Sequence, residues 1–512
     1  MSKTDPIYSG EKRKKILPLL FLLLFILTAC NFPIKDLGYV LRSYPTLDPA
    51  IFESRRTPTS PIIENTPAAP GTPVPRPQVN EQFYHVYAAQ SGDTLNVVAS
   101  HFGVTSAEIT SPNLLPESGI IPPGQYLVIP INDANREQRA MILPDSAVIN
   151  SPCALELNIT EFVNNAGGYL SSFSQLVAGE RISGAAVVQR VAENQSVNPL
   201  LLLAFIEYRS GLVYGHYPPV DIYHPLGLNN ERFKGLYQEL SLAARMINAG
   251  YYGWRYGTLN DMIFIDETGA RVPANLNAGS VGVIHLFARL YPSFEWEARL
   301  LGADGFLQRY QAMFGDPMIC ASRVEPLLTD QVVAPELQLP FAEGEVWVFT
   351  AGPHYSWVEG TPLGALDFAP NIKDAGCFVS PKYAVAVASG TVTRSDNGVV
   401  MQTLEDENGL PTGWEVLYMH IAAEDRVAQG TRLEANDPVG HPSCEGGNAT
   451  GSHVHIARKY KGEWIGSAEL FPFILSGWQV IPGRTIYTGT LVKEERVVFA
   501  RQGGDSDSLI TR

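Results

Sequence analysis

Positive charge, cysteine and long apolar runs are all scarce in this chain. Its 37 Lys and Arg face 52 Asp and Glu over 512 residues, a formal net charge of −15. No basic stripe appears after the N-terminus, which excludes nucleic acid as the main partner, because phosphate binding needs clustered cations. The apolar stretch from Ile16 to Ala29 is too short for a comfortable transmembrane helix. With 45% hydrophobic and 17% charged residues the bulk of the chain can fold, and its length implies several domains rather than one core.

Lys12, Arg13, Lys14 and Lys15 precede that apolar stretch, in the order of a secretory signal. It ends in Leu27-Thr28-Ala29-Cys30, which resembles the lipobox of bacterial lipoproteins. The resemblance implies a lipid on Cys30, residues 1–30 as signal and lipobox, and an extracytoplasmic chain held at the membrane; an uncleaved N-terminal anchor is the alternative. Outside the cytoplasm cysteines tend to pair. Cys153 and Cys320 bracket the middle of the chain, while Cys377 and Cys444 lie in its last third. The favoured pairing is therefore Cys153–Cys320 and Cys377–Cys444, with free thiols as the alternative.

Residues 31–82 form a linker whose Thr57–Val79 part is rich in Pro and Thr, a composition that builds no core and favours extended conformations. From 83 to 132 the pattern reads strand, turn, helix, helix, strand. Ser91-Gly92-Asp93-Thr94-Leu95 opens a helix, Asn113-Leu114 lies in the middle, and Pro123-Gly124-Gln125-Tyr126-Leu127-Val128-Ile129-Pro130 returns as a strand. These motifs resemble a LysM domain over nearly the whole segment, which implies a small βααβ module binding N-acetylglucosamine-containing glycan of peptidoglycan.

Residues 150–325 are helix-rich. Asn198-Pro199 starts a helix that runs apolar on nearly every side to Ser210 and stops near Gly211. Glu207 near its end is out of place in a bland core. The run Val197-Asn198-Pro199, Leu203-Ala204, Ile206-Glu207, Ser210-Gly211 resembles the catalytic-glutamate helix of lysozyme-like lytic transglycosylases. That implies an α-helical lysozyme-like domain with Glu207 as a proton donor to glycan. The family's Ser directly after the Glu is replaced by Tyr208-Arg209, and its Gly-Leu-Met-Gln strip is missing. An ion pair of Glu207 with Arg209 or Arg181 is the structural alternative, and a folded, non-cleaving helper domain the functional one.

From 335 to 485 short alternating apolar runs separated by Gly, Pro and Asn predict an antiparallel β-domain. In Gly451-Ser452-His453-Val454-His455 the strand period aims both imidazoles at one face, where zinc is their commonest user; an ordinary surface strand is the bland alternative. Gly352-Pro353-His354, Leu366-Asp367-Phe368 and Tyr418-Met419-His420 supply further candidates. Together they resemble the M23 family of zinc metallopeptidases, with the longer His-to-Asp gap of its LasA-type branch. The resemblance implies His354, Asp367 and His455 as zinc ligands with an open fourth position. It makes His420 and His453 the pair beside the metal-bound water, one as general base and one holding the oxyanion, in an order left open. Residues 486–512 are expected as a strand near Val497–Ala500 and a disordered tail.

The expected whole is a multidomain, membrane-anchored peptidoglycan hydrolase that cuts peptide cross-links. A bifunctional hydrolase also cutting glycan through Glu207, and a non-catalytic wall-binding activator, are the competing readings.

Overall fold

The computed structural model describes residues 84–130 and 141–512, apart from 156, 275, 330–331, 373–375 and 469–470. The expected signal, Cys30 and the proline-rich linker lie outside the described residues. Among the described residues no helix is long and apolar enough to cross a membrane.

In the first unit β1 (Tyr84–Ala88) pairs antiparallel with β2 (Tyr126–Pro130), with α1 (Leu95–Phe102) packed beside them. Thr94 caps α1 by accepting from the Val97 N–H, and Gly103 ends it in the left-handed region. The second helix expected of the module is a single 3₁₀ turn, Ser106–Glu108. Thr110 then bridges to Val128 and Pro112 follows, so the chain turns back before an α-helix can propagate.

The middle unit contains α2 (Ile159–Ala166), α3 (Tyr169–Ser172), the hairpin β3 (Ser174–Val177) and β4 (Glu180–Ser183), α4 (Gly184–Gln195) and α5 (Pro199–Ser210). It continues with α6 (Leu236–Arg255), the hairpin β5 (Asp261–Ile263) and β6 (Gly269–Arg271), α7 (Ala278–Leu290), α8 (Trp296–Leu301), α9 (Phe306–Phe314) and α10 (Met318–Val324). α5 starts and stops where its residues dictate. The Asn198 side chain accepts from Leu200 N, Pro199 opens the first turn and Gly211 closes the last at φ 63°. Leu201 to Ile206 are all buried, so this helix is the middle of the core. The Cys153–Cys320 disulfide ties α10 to the start of the unit.

The C-terminal unit is a twisted antiparallel sheet. Its strands run in the order β13 (Arg432–Leu433), β10 (Gly390–Asp396), β11 (Val399–Glu405), β12 (Pro411–Met419), β15 (Val454–Tyr460), β8 (Leu363–Pro370), β7 (Val346–Tyr355), β21 (Leu509–Thr511). β9 (Ala384–Val385) pairs with β14 (Pro438–Gly440), and β16 (Glu463–Trp464) adds to β15. A second sheet is built from β17 (Ile474–Leu475), β18 (Trp478–Pro482), β19 (Gly489–Lys493) and β20 (Arg496–Phe499).

One expectation is corrected here. Residues 503–512 are not a disordered tail: Asp505 and Ser508 cap a 3₁₀ turn, and β21 then extends the main sheet along β7. The reason is that Ile510 is fully buried in the sheet's core, which outweighs the polar run preceding it.

Register divides the main sheet into faces. Leu366, Ile456, Tyr418 and Val400 stand in one row and enter the core of the C-terminal unit. The neighbouring row, Asp367, His455, Met419 and Val399, points the other way. On that second face Met419, Val399, Ala365, Ala457, Leu417 and Met401 belong to the same apolar cluster as the middle-unit helices.

Candidate metal centre

Five side chains converge at one end of that second face. Asp367 and His455 are directly opposed on β8 and β15. His354 reaches them from β7, where the register shifts between Ala351 and His354. A bulge of this kind re-aims a side chain, and Pro353 is tolerated there because it needs no ladder bond. Gly352 in the bulge cannot carry a Cβ, which would lie 2.6 Å from the Thr488 backbone. His420 follows β12 in the left-handed region at φ 66°, held there by Ser443, whose N and Oγ both donate to its carbonyl.

His354 Nε2 lies 2.9 Å from His455 Nδ1, and each of these nitrogens is 3.2 Å from Asp367 Oδ1. His453 Nε2 is 3.5 Å from Asp367 Oδ2, and the His420 ring centroid is 4.4 Å from that of His453. His354, Asp367, His420 and His455 are all buried.

The outward nitrogen of every imidazole meets a backbone carbonyl. His354 Nδ1 lies 2.9 Å from Gly352 O and His455 Nε2 3.0 Å from Ser356 O. His420 Nδ1 is 2.8 Å from Glu445 O and His453 Nδ1 2.7 Å from Gly451 O. A carbonyl only accepts, so each outer nitrogen carries an N–H, and in the neutral ring the inner nitrogen presents a lone pair. His354 and His455 therefore face one another lone pair to lone pair. Asp367 Oδ1, buried without a hydrogen-bond partner, aims at the same point.

Such a concentration of acceptors is unfavourable unless a cation fills it. The donor-atom edges of 2.9 and 3.2 Å suit it, since ligands ~2.0 Å from a tetrahedral centre are about 3.3 Å apart. The residues present fit a metal ion of the zinc type.

Charge follows the same geometry. Burial pushes the Asp367 carboxyl up, but His354 and His453 outweigh it and hold it well below the usual carboxylate range. Burial lowers His354, and Asp367 more than reverses this, leaving it raised. Burial, then His453 and His455, pushes His420 down to about 3, so its ring is neutral at pH 7.

The sequence motifs point to these residues, but not to Tyr487. Its ring stacks on His354 at 4.8 Å, and its backbone N–H and carbonyl bond Pro353 O and Gly352 N. The turn between β18 and β19 thus locks the bulge that aims His354. No local motif marks this tyrosine; the signal is tertiary.

Glu207 stands apart from the centre, at the end of α5. Its Oε2 accepts from Val213 N at 3.0 Å and Tyr214 N at 3.1 Å. Arg209 instead donates to Leu226 O and Gly227 O, and Arg181 to Ser174 Oγ. Both expected disulfides are present. Cys377–Cys444 lies at the rim of the centre, joining the loop before β9 to the loop that supplies Glu445 O and Gly451 O.

Comparison with known proteins bears on the class. The family model "LysM domain" matches residues 87–130, and "LasA, N-terminal domain" matches residues 141–327. Protease LasA of Pseudomonas aeruginosa, in strains UCBPP-PA14 and PAO1, is 25% identical over 288 residues, covering 53% of this chain and 64% of the relative. The match thus spans less than two thirds of those relatives' own length.

Among solved structures, the M23 metalloprotease pseudoalterin from the deep sea is 19% identical with a TM-score of 0.27, over 33% of this chain and 96% of that one. The catalytic domain of lysostaphin from Staphylococcus simulans is 17% identical with a TM-score of 0.18, over 24% and 87%. The chain contains a LysM domain. Its further similarity is to Protease LasA, and its middle unit is matched as a LasA N-terminal domain.

Proposed function

We propose that this chain is a zinc-dependent endopeptidase that cuts peptide cross-links of peptidoglycan. The observation that carries it is the convergence of His354 Nε2, His455 Nδ1 and Asp367 Oδ1, with both imidazoles oriented by backbone carbonyls. These three residues would hold the metal. When bound, zinc supplies a Lewis acid and a water acidic enough to be a nucleophile near neutral pH. His420, held through Nδ1 by Glu445 O, would present Nε2 as the general base of the site. His453, held through Nδ1 by Gly451 O and beside Asp367, would steady the charge that develops on the amide oxygen only as the imidazolium, with its Nε2–H donating.

The LysM unit would hold glycan strands, and the lipid on Cys30 would keep the chain at the outer face of a bacterial membrane. The lysozyme-like reading of the middle unit we take as a non-cleaving helper. Glu207 Oε2 is engaged by Val213 N and Tyr214 N, which makes it a loop clamp.

Purified peptidoglycan digested with the full chain, followed by mass spectrometry of the fragments, tests this. New amino termini that disappear in His455→Ala support the peptidase. New glycan ends that disappear in Glu207→Gln would instead support the bifunctional reading. Neither product, with zinc bound at full occupancy, would leave the chain a wall-binding activator.

A further inference from the structure

Between α5 and α6 a loop carries Tyr214, Tyr217, Val220, Ile222 and Tyr223 into solvent, exposing 42, 86, 109, 64 and 62% of their surface. A single exposed apolar residue needs no explanation, but a run of them on one loop marks a surface that meets something. This loop is held out by design. At one end Glu207 Oε2 accepts from Val213 N and Tyr214 N, and Gly215 O accepts from Tyr169 N at 2.7 Å. At the other the carboxylate of Glu239, fully buried, accepts from Leu226 N at 2.6 Å and Leu228 N at 2.8 Å and meets His224 Nδ1 at 3.2 Å. Asp221 Oδ1 caps Tyr223 N, and Tyr223 O accepts from Gly235 N. A slack loop would fold Val220 and Ile222 inward to leave water. This one is clamped by two carboxylates, one at each end, and stands out from the core.

We propose that this loop inserts into a lipid surface as a second membrane contact beside the lipid on Cys30. At the tip Val220 and Ile222 stand on either side of Asp221, whose Oδ1 is turned back onto Tyr223 N, and the flanks are Tyr217 and Tyr223. That order matches a hydrocarbon boundary, where tyrosines sit at headgroup level. Tyr217 and Tyr223 could also stack on a sugar, but the exposed side chains of Val220 and Ile222 between them offer a sugar no hydrogen bond. Arg232 and Lys234 offset Asp221 and Glu231 nearby, so neither attraction nor repulsion by anionic headgroups dominates.

The inference rests on the anchored reading of the N-terminus. Residues 31–83 separate Cys30 from the first strand, and a chain spans up to ~3.3–3.6 Å per residue, so the body can reach the bilayer. Membrane anchoring by one weak signal is reversible and gains from a second.

The test uses the full chain with vesicles of phosphatidylethanolamine and phosphatidylglycerol carrying spin-labelled lipid. An environment-sensitive fluorophore is placed at Val220→Cys or Ile222→Cys, and a control at exposed Leu410→Cys. Insertion predicts a blue shift and severalfold stronger quenching at both loop positions than at 410, little changed by salt. Loop quenching that persists in a Cys30→Ser chain supports insertion even where lipidation fails. A chain retained on vesicles with unquenched loop probes overturns insertion and leaves the anchored reading standing. A chain that stays free, with unquenched probes, overturns both. Loop probes that respond to soluble peptidoglycan fragments rather than to lipid also overturn it, giving the loop to the wall.

Discussion

His354 and His455 face each other through nitrogens 2.9 Å apart, with the unpartnered Asp367 Oδ1 between them. The stability of this arrangement hangs on what fills it. Asp367→Asn keeps the volume but removes the charge, and zinc affinity is expected to fall by more than about 100-fold, since even partners beyond the ligands are worth 10–100-fold. Metal analysis of the purified chain after dialysis checks this, and unchanged occupancy would sink the ligand assignment.

A second residue-scale prediction concerns His285, whose ring lies between α7 and α6 with Nδ1 2.7 Å from Met246 O. Burial, the dominant cause, pushes it down to about 4 from the ordinary 6.5. The unfolded chain therefore binds the extra proton first. The stability this neutral ring contributes is complete above pH 6.5 and is lost as pH falls toward 4, by at most about 3 kcal/mol. Thermal melts across that range should show a shallower decline for His285→Gln than for the wild-type chain.

At this scale the sequence points to the residues that converge, because strand alternation and residue type are local. It is blind to Tyr487, which reaches His354 only through the packing of one sheet's turn on another's bulge.

At the scale of elements, the histidines are only as well placed as the loops whose carbonyls hold them. Glu445 O and Gly451 O both belong to the loop between β14 and β15, which Cys377–Cys444 ties across the rim. Replacing both cysteines by serine should leave the sheet folded, because the bridge closes only surface loops. It should weaken zinc binding by about tenfold, the scale of a lost supporting contact. Competition against a chelator, with circular dichroism as the folding control, reads both.

Gly364 in β8 is a sharper constraint: an added Cβ would lie 2.2 Å from Ile465 O and 2.4 Å from Ser356 Oγ. Gly364→Ala is expected to destabilise the chain by about 1–3 kcal/mol, as overpacking does, and to displace Asp367 three residues on. An unchanged melting temperature would contradict it. The helix α5 and the strands of the sheet are legible in sequence through caps, Pro199, Gly211 and alternation. The second LysM helix and the tail are not. In both, a local pattern yields to a tertiary contact: the bridge of Thr110 to Val128, and the burial of Ile510.

For the whole molecule the decisive fact is what covers the sheet. The row holding Asp367 and His455 continues through Met419 and Val399 into the cluster formed with the middle-unit helices. Polar contacts follow the same seam: Arg394 Nη1 donates to Asn194 Oδ1 at 2.6 Å, Lys459 Nζ to Glu193 O at 3.1 Å, and Trp464 N to Tyr252 OH at 2.9 Å. Arg255 pairs with the fully buried Glu463. The surface that continues from Asp367 and His455 through Met419 and Val399 is thus packed against another part of the same chain.

Glu463→Ala removes the buried carboxylate that pairs with Arg255 and leaves Asp145 4.0 Å away as an acidic neighbour, a loss of about 1.5–3 kcal/mol. It should loosen the seam, seen as faster proteolysis between 325 and 336, and raise the rate on a soluble glycine-rich peptide. Faster proteolysis with an unchanged rate would show that the cover does not limit access.

β15 shows why the cover was not legible. All of Val454–Tyr460 is buried, but Arg458 and Lys459 make the strand read as half exposed. Arg458 stacks 4.2 Å over Phe473 and donates to Phe471 O, while Lys459 lies 4.3 Å over Trp464. Burial there lowers Lys459 to about 8.

The residues by themselves determined the LysM module and the β-character of the last third and favoured the cysteine pairs that form, because caps, turns and alternation act over a few positions. Only the tertiary structure decided that the row of Asp367 and His455 continues, at Met419 and Val399, into a cluster with the middle helices, that Tyr487 braces His354, and that Glu207 clamps a loop. Each of these depends on which surfaces distant segments bury against one another, and a sequence pattern carries the period of a face without naming its partner.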